Sequence, residues 1–222
     1  MSQPLIIFGT GTLARLAHYY AVREMGLEVK AFAVDATRLN TDTCCDSPVV
    51  SWDQCLDIYP PRDVSMYVAV GYREMRQREA LFDRVQSAGY SLKNIISKSA
   101  FVAETVWMGQ NNFIMPGVVI DPGVSMGANN VIWSNATICH DTIIGKHNFV
   151  ASNVTIGGEV TVGDRCFLGF SSTVVQQCCL GDDVLLAAQS LLLEDADSLS
   201  RHQGVPAVKV GVISQSAGVC IK

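Results

Sequence analysis

Residues 138–162 read Ile138-Cys-His-Asp-Thr-Ile-Ile144-Gly-Lys-His-Asn-Phe-Val150-Ala-Ser-Asn-Val-Thr-Ile156-Gly-Gly-Glu-Val-Thr-Val162, with an aliphatic side chain at every sixth position. Extended both ways, the same step meets Val102, Met108, Ile114, Ile120, Met126 and Ile132, then Leu168, Val174, Leu180, Leu186 and Leu192, and never a polar residue. Val, Ile, Leu and Met make up roughly three in ten residues, so chance produces such a run with a probability on the order of one in 10⁸. The fifth slot of each hexad is small, β-branched or Asn, from Val106 and Asn112 to Ser190, and fits a narrow interior. The fourth slot, from Thr105 and Asn111 through Asp141 and His147 to Gln189, is never apolar, and its Gly and Asn tolerate a left-handed backbone. It is the corner. A short strand and a corner every six residues predict a triangular parallel β-helix of about five coils, eighteen residues each, with equivalent residues stacked about 4.8 Å apart.

The first hundred residues have another rhythm. Pro4 to Phe8 reads as a buried strand, Gly9-Thr-Gly11 as a tight turn, Leu13 to Met25 as a helix, and Glu28 to Val34 as a second strand ending at Asp35. Ser65 to Val70 is a later strand closed by Gly71, and Arg73 to Ala88 an amphipathic helix stopped by Gly89. The chain therefore divides into a small Rossmann-like α/β domain at 1–97, the β-helix at 98–203 and a tail at 204–222.

Composition narrows the partners. The 222 residues are 49% hydrophobic and 17% charged, enough to build a sizeable core. A net charge of −5 and a pI near 5.3 lack the basic excess that grips a phosphate backbone, so nucleic acid is not an expected partner. The longest apolar candidate, Val184 to Leu193, is interrupted by Gln189 and Ser190 and falls short of the ~20 residues that span a bilayer, so no membrane association is expected. The N-terminus has no basic lead-in to a cleavable signal. Eight cysteines without a disulfide framework or CxxC spacing fit reduced thiols in a cytoplasmic protein.

Gly9-Thr-Gly11-Thr-Leu-Ala14 matches G-x-G-x-x-[GA] between strand and helix, where bare backbone N–H groups and the helix dipole can hold a phosphate. Asp35 ends the second strand where an acidic residue would meet a ribose or base edge. Three readings stay open: a nucleotide-diphosphate site, a dinucleotide site, for which about 95 residues offer little more than one of two halves, and a tight turn without ligand.

Of four histidines, His18 in the first helix and His202 in the tail read as ordinary surface or capping residues. His140 occupies a third slot near a corner and points outward, beside Asp141, and the position one coil later is Gly158. An outward imidazole, an adjacent carboxylate and a notch without a side chain suit a general base whose notch admits a reacting group, with a backbone N–H to meet an oxyanion. The competing reading is a surface histidine on a repetitive scaffold. A metal site is disfavoured, because His147 lies in a different slot from His140 and no third ligand stacks near them.

The uninterrupted hexapeptide repeat, Ile138-Cys-His140-Asp141-Thr-Ile-Ile-Gly145, Ile156-Gly-Gly158 and Gly204-Val-Pro206-Ala resemble the left-handed β-helix acyltransferases. Phe8-Gly-Thr-Gly, Ala69-Val70-Gly71-Tyr and Asn94-Ile-Ile-Ser-Lys-Ser narrow the resemblance to sugar acetyltransferases of the sialic-acid O-acetyltransferase and bacillosamine or perosamine N-acetyltransferase type. It implies a homotrimer that serves polysaccharide biosynthesis, with acetyl-CoA as cosubstrate in the groove between subunits and a nucleotide-linked amino sugar on the α/β domain. Transfer would be direct, with no acyl-enzyme and no metal. His140 would be the base, Asp141 would orient it, and Gly158 would lie against the acyl thioester. Pro206 and Lys209 would approach the CoA, and Gly9, Gly11, Asp35 and Gly71 the nucleotide. Two departures stand out: Leu13-Ala14 replaces the His-Gly of many relatives, and Phe149 replaces a second histidine on the acyl-CoA wall. Alternatives are sugar O-acetylation, a catalytically silent scaffold that binds a nucleotide-sugar, and a metal-dependent hydratase on the same fold.

Overall fold

The structure, a computed structural model, describes residues 3–71 and 73–221. The chain forms two compact units, Met1–Gly71 with Ala80–Ile96, and Tyr72–Glu79 with Ser97–Lys222. Tyr72, which follows Gly71 in the resemblance, and Met1 and Ser2 of the N-terminus lie outside the described residues.

The first unit is a six-stranded sheet. It contains β1 (Leu5–Phe8), β2 (Val29–Val34), β3 (Thr43–Cys44), β4 (Ser47–Ser51), β5 (Ser65–Val68) and β6 (Ser91–Leu92), in the order β3-β4-β2-β1-β5-β6. All neighbours are parallel except the hairpin β3–β4. β1 is buried throughout, as its unbroken Leu-Ile-Ile-Phe run requires of a strand covered on both faces. The helices are α1 (Thr12–Arg23), α2 (Trp52–Ile58), closed at its start by a capping box between Ser51 and Gln54, and α3 (Met75–Ser87). α3 also gives its first turn, through Glu79, to the second unit.

The second unit is a left-handed parallel β-helix. Two-residue strands repeat every six residues from Phe101–Val102 to Leu191–Leu192, and each as far as Thr173–Val174 pairs with the strand eighteen residues on, as in Ile114↔Ile132, Ile120↔Ile138 and Met126↔Ile144. From Ile114 to Leu192 every first-slot side chain is at most 2% exposed, and the fifth slots from Asn112 on join them inside. Buried asparagines there form a ladder: Asn112 Oδ1 accepts from Asn130 N–H at 2.8 Å, and Asn130 Oδ1 from Asn148 N–H at 2.8 Å. Every fourth slot from Asn111 to Gln189 has a left-handed φ between 55° and 80°, so the corner is where the pattern puts it. The tail adds order: Val208–Val212 runs antiparallel to Ser200–Gln203 and extends one face of the coil. No described helix is long and apolar enough to cross a membrane.

Candidate active site

His140 stands at a corner of the coil, its side chain 58% exposed, with Nδ1 3.0 Å from Asp141 Oδ2. Nδ1–H donates this hydrogen bond to the carboxylate, which leaves the lone pair on Nε2. Asp141 is itself in the left-handed corner conformation, φ 56°. The ring rests on Gly158: a Cβ built there would meet His140 Cε1 and Nε2 at 2.7 Å. The notch exists, but it is filled by the imidazole and does not stand open to a reacting group. Among the described residues the Gly158 N–H has no acceptor, although Gly158 O accepts from Gln177 N–H at 3.0 Å.

Phe149 corrects an expectation. Its ring is 3% exposed, stacked on Phe167 at 5.4 Å and flanked by Trp133 at 5.6 Å, so it offers no open face to an acyl carrier. Pro206 is exposed and follows a cis peptide bond. Lys209 lies 3.4 Å from Asp197 and lines a cavity of about 320 Å³ with Leu192, Glu194, Asp195 and His202, a wall more acidic than a phosphate seat requires. Glu194 continues the column of His140, Gly158 and Gln176, three coils or about 14 Å along the same edge. His202 is buried, with Nε2 2.9 Å from Ser200 Oγ, and is not the surface residue its place in the tail suggests.

In the first unit, Gly9 has φ 115°, and a Cβ there would meet Ala69 O at 3.0 Å, so both conformation and space demand glycine. Gly11 precedes α1, whose first turn has neither a side-chain cap nor an acidic residue and so keeps its N–H groups and positive end for an anion. Gly71, just past β5, is exposed. Asp35 pairs with Arg84 at 2.8 Å, and the guanidinium lies 5.1 Å from the ring centres of both Phe8 and Trp52. Asp35, Arg84 and Trp52 thus meet at the carboxyl ends of β1, β2 and β4, where parallel α/β sheets bind ligands. Sequence reasoning missed Arg84 and Trp52: a cation on the polar side of a helix and an aromatic after a short strand carry no distinguishing spacing.

His147 is the opposite of His140. It is 4% exposed, and Nδ1 accepts from Asn129 Nδ2 at 2.9 Å within a fourth-slot column of Asn111, Asn129, His147, Arg165 and Asp183. Burial, joined by the charges of Arg78, Arg165 and Lys146, lowers its pKa from 6.5 to about 3. Neutral His147 therefore supports the fold fully above pH 6.5. Below that value the unfolded chain takes up a proton that the folded chain refuses, and stability falls by up to about 1.4 kcal/mol per pH unit toward pH 3. His147→Asn continues the asparagine column and removes this loss; urea titrations at pH 7.5 and 5.5 are expected to show a shallower fall in the variant than in the parent.

Among the described residues no group of three or more His, Cys, Asp or Glu side chains is placed to hold a metal ion. Residues 105–140, 125–158 and 141–176 match the bacterial transferase hexapeptide (six repeats) model, and no curated protein matches the chain. Over residues 105–176 the coil thus carries the repeat of the bacterial hexapeptide transferases. Among solved structures the chain is similar to PerB from Caulobacter crescentus in complex with CoA and GDP-perosamine, with a TM-score of 0.84 and 28% identity over 94% of this chain and 97% of that one. The acetyltransferase domain of PglB from Neisseria gonorrhoeae, in complex with acetyl coenzyme A, shares the fold with a TM-score of 0.85 and 20% identity over 95% of this chain and all of that one. WeeI from Acinetobacter baumannii shares it at 0.77 and 14%, over 93% and 99%. The likeness to these solved acetyltransferases, together with the matched repeat, supports an acyltransferase.

Proposed function

We propose that the chain is a cytoplasmic homotrimer that transfers an acetyl group from acetyl-CoA to the amino group of a nucleotide-linked deoxysugar, with His140 as general base. The observation that carries the reading is the His140–Asp141 pair, an outward imidazole whose Nδ1 is held by a carboxylate at 3.0 Å. The likeness to PerB, solved with CoA and GDP-perosamine at 28% identity, supports the pairing of substrates. Nε2 takes a proton from the sugar amine as its nitrogen attacks the thioester carbonyl. Collapse of the tetrahedral intermediate breaks the carbon–sulfur bond, and the departing thiolate receives the proton from the imidazolium. The unpaired Gly158 N–H beside the ring supports its role as oxyanion donor. Lys209, on the cavity further along that edge, and Pro206, which precedes Ala207 of its lining, are assigned to the distal part of the carrier, and Gly9, Gly11, Asp35 and Gly71 to the nucleotide. Exposed Trp107 and Ile143, in one outward column, support burial against sister protomers.

Incubation with acetyl-CoA and GDP-, UDP- and dTDP-linked 4-aminodeoxysugars is expected to release free thiol only when an accepted amino sugar is present. Binding of a nucleotide-sugar without thiol release from any acceptor would overturn the reading in favour of a silent scaffold.

A further inference from the structure

Two corners of the coil are built alike. Met115-Pro116-Gly117 and Asp121-Pro122-Gly123 place proline and glycine at the third and fourth slots of successive hexads, and both glycines are left-handed, φ 72° and 80°. One coil on, Asn135 lies over Gly117 and Asp141 over Gly123, each with Oδ1 folded back onto the glycine. A Cβ on Gly117 would stand 2.2 Å from Asn135 Oδ1, and one on Gly123 2.3 Å from Asp141 Oδ1. Corners that carry side chains are arranged differently. Asn111 Nδ2 donates to Asn129 Oδ1 at 2.8 Å, and Gln177 Nε2 to Glu159 Oε2 at 3.3 Å, so that stacked polar side chains turn toward each other.

We infer that Gly123 is a positioning residue for His140, acting through Asp141; its effect on rate rests on the function proposed above. Because Oδ1 sits over the bare glycine, Oδ2 of the same carboxylate reaches His140 Nδ1 at 3.0 Å. The seat is fixed from below and beside: Gly123 N–H donates to Thr105 Oγ1 at 3.1 Å, and Asp141 N–H to Pro122 O at 3.2 Å. A side chain at 123 closes the seat, and an amide there draws the carboxylate to itself as Asn111 and Asn129 draw together.

Gly123→Asn tests this, because asparagine already occupies left-handed corners at 111, 129, 135 and 153 and keeps the coil foldable. Gly117→Asn is the matched control, with the same backbone and the same overlying oxygen but no histidine. Crystal structures of both full-length variants are expected to show the His140 Nδ1 to Asp141 contact opened beyond 3.5 Å in Gly123→Asn and kept near 3.0 Å in the control. Turnover with acetyl-CoA and GDP-perosamine, or whichever acceptor of the panel works best, is expected to show kcat down about 10–100-fold in Gly123→Asn, a part of the roughly 10²–10⁴ that a placed base supplies, with KM unchanged. An intact contact in Gly123→Asn, or a control that opens equally, overturns the proposal. An opened contact with unchanged kcat supports the positioning and instead removes His140 as the base.

Discussion

His140→Asn lowers turnover by about 10²–10⁴ at saturating acetyl-CoA and acceptor, the contribution a placed proton acceptor typically makes. The substitution removes Nε2, the one nitrogen of the ring not engaged by Asp141. An exposed side chain at a corner carries little of the fold, so the variant is expected to keep its melting temperature within the small change typical of surface positions. Transition-state loss and binding loss separate here: kcat and kcat/KM for the acceptor fall together, because the proton moves only as the amine attacks. Single-turnover mixing of enzyme with acetyl-CoA and acceptor reads the chemical step directly. Turnover within threefold of the parent would reject the base, whatever the fold does.

The difference between the two coil histidines shows where the sequence was legible and where it was not. The hexad period names the inward slots because an aliphatic side chain every sixth residue has one way to be buried in a three-sided coil, and the interior from Ile114 to Leu192 follows it. The fourth slot was legible as a corner because Asn, Asp and Gly accept a positive φ, which the corners adopt. His140 at an outward third slot was therefore placed with its neighbour Asp141. His147 was not, since a corner reads as exposed in a local pattern. Its burial comes with Arg78 and Glu79, some seventy residues away, and no period links those segments. Phe149 came to the acyl-CoA wall by resemblance alone, and the pattern held no sign that Trp133 and Phe167 would enclose its ring. In the α/β unit the glycine turn was legible and β4 with α2 was not, because Val49-Val50 is too short a run to separate from a loop. Arg84 was invisible until the strand ends brought Phe8, Asp35 and Trp52 to it.

Arg78→Met lowers the free energy of unfolding by about 3–5 kcal/mol, the cost of stripping one partner from a buried charged cluster. Arg78 is 1% exposed. Its guanidinium donates to His147 O at 2.9 Å, to Asn148 O at 3.2 Å and to Asn129 O, three carbonyls that surround the left-handed corners at 129 and 147. Methionine fills much of the same stem but leaves those acceptors dry, at about 1–3 kcal/mol each before relaxation. The opposing effect is relief from burying a cation, which keeps the net below the simple total. Burial also works against the charge on nearby Arg165, yet the carboxylates of Asp183, Glu79 and Asp182 outweigh it and raise its pKa, so that residue holds its own partners when Arg78 is lost. Arg78→Lys keeps the charge but not the planar fork, and its cost is expected to fall between methionine and the parent. Arg76→Met, which removes a half-buried side chain from a single contact with Asp183 at 2.9 Å, sets the scale for an ordinary pair in the same turn. Urea titration with an unchanged m-value reads all three. A loss below about 1 kcal/mol for Arg78→Met, or one no larger than for Arg76→Met, would show that water reaches those carbonyls and that the first turn of α3 does not close the column over His147.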